Sequence, residues 1–178
     1  MYEERAEEMA RQLVARLTEQ RYSLALAESC TAGLVADMVA RVSGASAVLW
    51  GSFVCYSPDA KQQMLGIDGA LLRQYGLVSR ETVRAMAVHA LEKAGVSVAA
   101  AVTGLAGPLG DGSEIPVGTV WIATAASAGC AAGPERCREQ EFHFQGTRAE
   151  IRMQAAAAVL EKLLAVSGLP LDKTIFMG

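Results

Sequence analysis

The run from Val96 to Val102, VSVAAAV, is nearly continuous in apolar residues. A stretch so short and so apolar suits a strand buried on both faces of a sheet, which helices must then cover from either side. The segments around it fit that demand. Met9, Leu13, Val14 and Leu17 recur at helical spacing among Glu and Arg, which predicts an amphipathic first helix. A short buried strand is predicted over Tyr22–Ala27, then a helix over Ala32–Val42 ended by the small turn residues Ser43 to Ser46. Ala47–Tyr56 reads as a strand broken by Pro58. Short helices are predicted over Asp59–Leu65 and Gly69–Tyr75. Ser79 has the character of an N-cap for a helix over Arg80–Lys93, with Val83, Met86, Ala87, Ala90 and Leu91 on its apolar face and Gly95 as its stop.

Beyond the apolar run, Thr103–Pro116 reads as a Gly-rich loop, Val117–Ala126 as a strand and Pro134–Arg138 as a turn. Glu139–Phe144 reads as an alternating edge strand, and Arg148–Val166 as a last helix introduced by Gly146 and Thr147. The alternation of strands and helices predicts an α/β protein: a three-layer α/β/α sandwich with a mixed central sheet. One domain over residues 1–166 is expected, followed by a tail over 167–178. Its 178 residues suffice for a full core, since a domain of this size buries roughly 70% of the surface of its unfolded chain.

Composition narrows the partners. Hydrophobic residues make up 52% of the chain and aromatics 6%, so the apolar content is mostly Ala, Val and Leu, which suits helices packed closely on a sheet. A net charge of −3 leaves no broad basic surface and argues against nucleic acid as a partner. No signal peptide is expected in the charged N-terminus, and no apolar segment reaches the roughly 20 residues of a membrane helix. Cys30, Cys55, Cys130 and Cys137 form no CxxC pair and fit neither a zinc site nor a secreted disulfide framework. A cytoplasmic protein with free thiols, no metal, no cofactor and no membrane partner is expected. The Ala-rich last helix suits self-association, so a homo-oligomer is expected.

Several residues have chemistry to offer. Ser29 falls where a buried strand is expected to turn into a helix, where unpaired backbone N–H groups carry partial positive charge. A serine oxygen there can attack a carbonyl, with the N–H groups of Cys30 and Thr31 holding the oxyanion. Capping of the helix by Ser29 or Thr31 is the commoner use of such residues. Lys61, in YSPDAK with Tyr56, can serve as a base only if desolvation lowers its pKa; otherwise it is a solvated lysine on a turn. Tyr56 can relay a proton or orient the nucleophile. The loop glycines Gly104, Gly107, Gly110, Gly112 and Gly118 allow a backbone to approach an anion, and phosphate is the natural ligand. Thr103 can hydrogen-bond substrate or nucleophile. Arg148 and Arg152, four apart on one helix face, can clamp a phosphate or carboxylate, or form a solvated face. Cys30 is a rival nucleophile, with His89 or His143 as base.

Four of these segments combine. AESCTAG at 27–33, YSPDAKQQMLGI at 56–67, TGLAGPLGDGSEIPVGTV at 103–120 and FQGTRAEIR at 144–152 resemble, in order and spacing, the successive motifs of the CinA C-terminal family. The resemblance covers roughly residues 4–164. It implies a three-layer α/β/α fold and hydrolysis of nicotinamide mononucleotide to nicotinic acid mononucleotide and ammonia. It implies Ser29 as nucleophile with Lys61 and Tyr56 as its partners. Cys30, Thr31, Thr103, Gly104, Ala106, Gly107, Arg148 and Arg152 are then expected to meet the nucleotide. The departures are Ala32 where the family usually has a second glycine, Leu109 in a glycine-rich stretch, and Ile115 where a lysine usually precedes PVG. In some members the domain follows a pyrophosphatase-like domain, which is not expected in this chain. Two other readings stand beside this one: a nucleotide-binding sensor without activity, and an amidase for a different carboxamide.

Overall fold

The computed structural model describes residues 2–127 and 137–167. Five strands form one mixed sheet: β1 (Leu24–Glu28), β2 (Leu49–Val54), β3 (Val98–Gly104), β4 (Thr119–Ala126) and β5 (Cys137–His143). Their spatial order is β2-β1-β3-β4-β5. β1 pairs in parallel with both β2 and β3, while β4 runs antiparallel to β3 and β5 antiparallel to β4. Helices α1 (Tyr2–Gln20), α2 (Leu34–Ala40) and α6 (Arg148–Val166) cover one face. Helix α5 (Arg80–Ala94) covers the other, with the short α3 (Pro58–Leu65) and α4 (Gly69–Tyr75) beside it. The three-layer α/β/α sandwich is therefore the fold.

The two faces of the sheet differ in side-chain size, and the pleat explains how one strand serves both. On β3, Val98, Ala100 and Val102 join the core under α1, α2 and α6, whereas Ala99 and Ala101 meet α5. β1 divides likewise, with Leu24 and Leu26 on the first side and Ala27 on the second. Alanines opposite Ala87 and Ala90 of α5 let that helix lie close to the sheet. The larger core takes Leu13 and Leu17 of α1 and Ile151, Leu160 and Leu163 of α6. Fully burying each such side chain contributes about 1.5–3 kcal/mol.

Several boundaries depart from the sequence reading. Helix α2 begins at Leu34, not Ala32, because Ala32 and Gly33 take positive φ of 50° and 92° and form a turn. Pro58 opens α3 at its first turn, where its missing N–H costs nothing, and Ser57 caps the helix by accepting from Ala60 N. β2 is shorter than expected because a 3₁₀ turn at Ala45–Ala47 precedes it. β3 continues through Gly104, so the loop starts at Leu105. β4 starts at Thr119, after Gly118. Gly118 has φ +96° and its absent Cβ would lie 2.0 Å from Phe144 O, so only glycine fits there. β5 begins at Cys137, so Arg138 is strand rather than turn. Residues 134–136 of that expected turn and 168–178 of the tail lie outside the described residues, as does Cys130.

The sites of chemistry follow from connectivity. The link from β1 to β2 runs through α2 on one face. The link from β2 to β3 runs through α3, α4 and α5 on the other. Adjacent strands whose connections leave to opposite faces open a crevice at their carboxyl ends, the usual binding position in open α/β sheets. Here those strands are β1 and β2, and the end of β3, on the other side of β1, flanks the crevice.

Candidate active site

Ser29 is the first residue after β1, and its own N–H donates to Val102 O of β3 at 3.0 Å. That bond ties the serine to the central strand. The turn that follows, Cys30 to Gly33, is organised by a residue that sequence reasoning missed. Glu28 ends β1 fully buried. Its Oε2 accepts from Gly33 N at 2.9 Å and Val35 N at 3.1 Å; its Oε1 accepts from Ala36 N at 3.0 Å and Ser52 Oγ at 3.0 Å. Neither Ser29 nor Thr31 caps α2. The N-cap residue is Gly33, which has no side chain to offer, and the carboxylate of Glu28 does that work from the strand. The signal was present as a glutamate inside an otherwise apolar strand, ahead of a helix with no side-chain cap at its start.

Lys61 comes from α3. It shares the inner face of that helix with Leu65, four residues on, and only 1% of it is exposed. Its Nζ lies 2.9 Å from Ser29 Oγ and 2.8 Å from Cys55 O. Burial pulls the Lys61 pKa below the ordinary lysine value of 10.5, against the smaller opposing influence of the Cys55 and Cys30 thiols. The solvated lysine on a turn is thus not what the fold builds. A buried amine in hydrogen-bond contact with a serine hydroxyl is the arrangement of a base beside a nucleophile.

A cleft of about 240 Å³ opens over this pair. Ser29, Cys30, Tyr56, Lys61, Thr103, Gly104, Ala106, Gly107 and Arg148 all line it, together with Leu77, Val78, Leu109 and Asp111. Tyr56 is 55% exposed at the mouth, and its hydroxyl accepts from Arg148 Nη2 at 2.6 Å. Arg148 Nη1 donates to Gly107 O at 2.7 Å, so this arginine joins the Gly-rich loop to the tyrosine. Thr103 is buried, and its hydroxyl donates to Leu77 O at 2.8 Å. Leu109 stands 84% exposed at the rim.

Two expected contact residues stand elsewhere. Thr31 is fully buried and does not line the cleft; its hydroxyl has no hydrogen-bond partner among the described residues. Arg152 also stands outside the lining and donates to the carbonyls of Cys30 and Thr31. The rival cysteine is poorly placed to react. Burial pushes the Cys30 thiol up to about 11, despite the opposing charges of Lys61 and Arg152. His89 bonds Leu65 O at 2.9 Å and His143 lies beside Glu141 on β5; neither lines the cleft.

The fold and this site define a class: an α/β/α protein with a serine and a buried lysine paired at the carboxyl end of its first strand. A family model described as the CinA C-terminal domain matches residues 6–167, and the chain belongs to that family. It is 39% identical over 164 residues to a nicotinamide-nucleotide amidohydrolase PncC of Enterobacter agglomerans, covering 92% of this chain and 96% of that protein. It is 46% identical over 151 residues to a CinA-like protein of Geobacter metallireducens; the match takes in 84% of this chain but 35% of that longer protein. Among solved structures, competence/damage inducible protein CihA from Agrobacterium tumefaciens superposes with a TM-score of 0.84 at 39% identity, covering 90% of this chain and 94% of that one. Among the described residues no helix is long and apolar enough to cross a membrane.

Proposed function

We propose that this chain hydrolyses the carboxamide of nicotinamide mononucleotide, with Ser29 as nucleophile and Lys61 as general base. The contact of 2.9 Å between Ser29 Oγ and the buried Lys61 Nζ carries the reading. The activity for which the PncC relative is named, and which belongs to a protein matched along nearly its whole length, supports the substrate.

Neutral Lys61 takes the proton of Ser29 as Oγ bonds to the carboxamide carbon, and the carbonyl electron pair moves onto oxygen. The oxyanion finds a donor at the Cys30–Gly33 turn: Cys30 lines the cleft, and among the described residues no carbonyl takes its N–H. Collapse of the intermediate breaks the C–N bond. The Lys61 ammonium returns its proton to the leaving nitrogen, which departs as ammonia. Water then attacks the ester, Lys61 takes its proton, and Ser29 Oγ leaves with a proton restored. The pyridinium charge of the substrate draws electrons from the carbonyl and favours attack. Arg148 and the loop from Thr103 to Gly107 hold the ribose phosphate, and Tyr56 orients Arg148 across the mouth.

The test is ammonia release from nicotinamide mononucleotide by purified protein, with Lys61→Met alongside. Release by the wild type alone supports the reading. No release from this nucleotide, with release from another carboxamide, would keep the chemistry and move the substrate. No release from any carboxamide would leave a binding module.

A further inference from the structure

The guanidinium of Arg152 grips the backbone of the turn that carries Ser29. Its Nε donates to Cys30 O at 3.0 Å and its Nη2 to Thr31 O at 2.7 Å. A planar fork holding two successive carbonyls fixes both peptide planes, as a single ammonium would not. Neither peptide is cis. Across a trans peptide the N–H points opposite to the C=O. The Thr31–Ala32 peptide, its oxygen held by Arg152, therefore sends Ala32 N–H the other way. That N–H donates to Ser29 O at 3.0 Å, which fixes the Ser29–Cys30 peptide in turn. The three beyond it that Glu28 accepts, from Gly33, Val35 and Ala36, are committed as well. Cys30 N–H, on a residue that lines the cleft, is left without a carbonyl partner among the described residues. A cation at one end of this series of peptides also polarises it and strengthens that N–H as a donor.

We propose that Arg152 is a positioning residue, which through the backbone of the turn aims and polarises the Cys30 N–H toward the oxyanion formed at Ser29, and that it does not hold the substrate phosphate. This rests on Ser29 being the nucleophile. Nothing on the cleft side competes for the guanidinium, since Arg152 lies outside the residues that line the cleft.

The experiment compares wild type with Arg152→Lys and Arg152→Gln on nicotinamide mononucleotide and on nicotinamide riboside, which has the same carboxamide and ring charge but no phosphate. A third arm follows labelling of Ser29 by a fluorophosphonate, in which the serine oxygen bonds to phosphorus and fluoride leaves; peptide mass spectrometry gives its rate. Loss of one oxyanion donor costs about 10²-fold or more in kcat. The expected result is a fall in kcat of at least about ten-fold with KM nearly unchanged, the same factor on the riboside, and a parallel slowing of labelling. A raised KM whose defect disappears on the riboside would make Arg152 a phosphate ligand and overturn the proposal, as would labelling at the wild-type rate. Should Arg152→Gln fail to fold, Arg152→Lys, which keeps the charge but not the fork, decides. If neither substrate is turned over by wild type, the labelling arm alone decides. A wild type that is not labelled at Ser29 removes the nucleophile, and this proposal with it.

Discussion

Ser29 Oγ and Lys61 Nζ lie 2.9 Å apart although 32 residues of chain separate them. The distance is set by two different elements: β1, which ends one residue before the serine, and α3, whose inner face carries the lysine. Lys61 has its second hydrogen bond to Cys55 O, so the amine is held from both sides, and among the described residues no carboxylate pairs with it to keep it charged.

That arrangement has a pH signature. Burial lowers the Lys61 pKa, so the neutral base forms below the ordinary lysine range. The kcat/KM profile should rise through a single ionisation placed below 10.5. The sign for stability is the same. Between the folded-state pKa and 10.5 the unfolded chain binds more protons than the folded one, so stability rises with pH across that window and is lost as pH falls through it. Lys61→Met should fold at least as stably as wild type at pH 7 while losing at least about 10²-fold in kcat. Denaturant titrations and a rate profile on the same preparations measure both.

Glu28 serves structure first and the nucleophile through it. Glu28→Gln keeps the size but leaves one oxygen to accept where two now serve three backbone N–H groups and Ser52. Leaving a buried donor unsatisfied costs about 1–3 kcal/mol, so a loss of roughly 2 kcal/mol in urea unfolding is expected. A stability within error of wild type would show that the four bonds are not worth what their burial implies.

Ala32 stands at φ 50°, a conformation that disfavours a Cβ. Ala32→Gly should therefore stabilise the protein by about 1 kcal/mol and leave turnover intact. Destabilisation would mean that the methyl group packs well enough to outweigh the backbone strain.

Arg148 faces the cleft, held by Gly107 O and Tyr56 Oη. Arg148→Ala should raise KM for nicotinamide mononucleotide about ten-fold, the worth of one charge-assisted hydrogen bond of about 1.5 kcal/mol. The same change should leave nicotinamide riboside nearly unaffected. Steady-state kinetics on the pair distinguishes phosphate binding from a general effect on the loop.

Much of the fold was legible because its cause is local. The apolar run at β3, the spacing of Met9, Leu13 and Leu17, and the Ser79 cap each carry their own signature. Thr147 caps α6 with Glu150 answering it, as the Gly146–Thr147 punctuation implied. The turn after Ser29 was not legible. Alanine at positive φ contradicts local preference, and Glu28 accepts from N–H groups five to eight residues on, a spacing that no ordinary capping pattern announces. Lys61 illustrates the same limit: its burial depends on how α3 meets β1, which no window of sequence contains. Arg148 and Arg152 look alike by spacing, yet one faces the cleft and the other the backbone of the turn.

Trapping the covalent intermediate tests the central claim most directly. Rapid acid quench of the protein turning over nicotinamide mononucleotide, followed by peptide mass spectrometry, should find the nicotinate nucleotide esterified to Ser29, and Ser29→Ala should carry no adduct and release no ammonia. Ammonia release at the wild-type rate by Ser29→Ala would contradict the account.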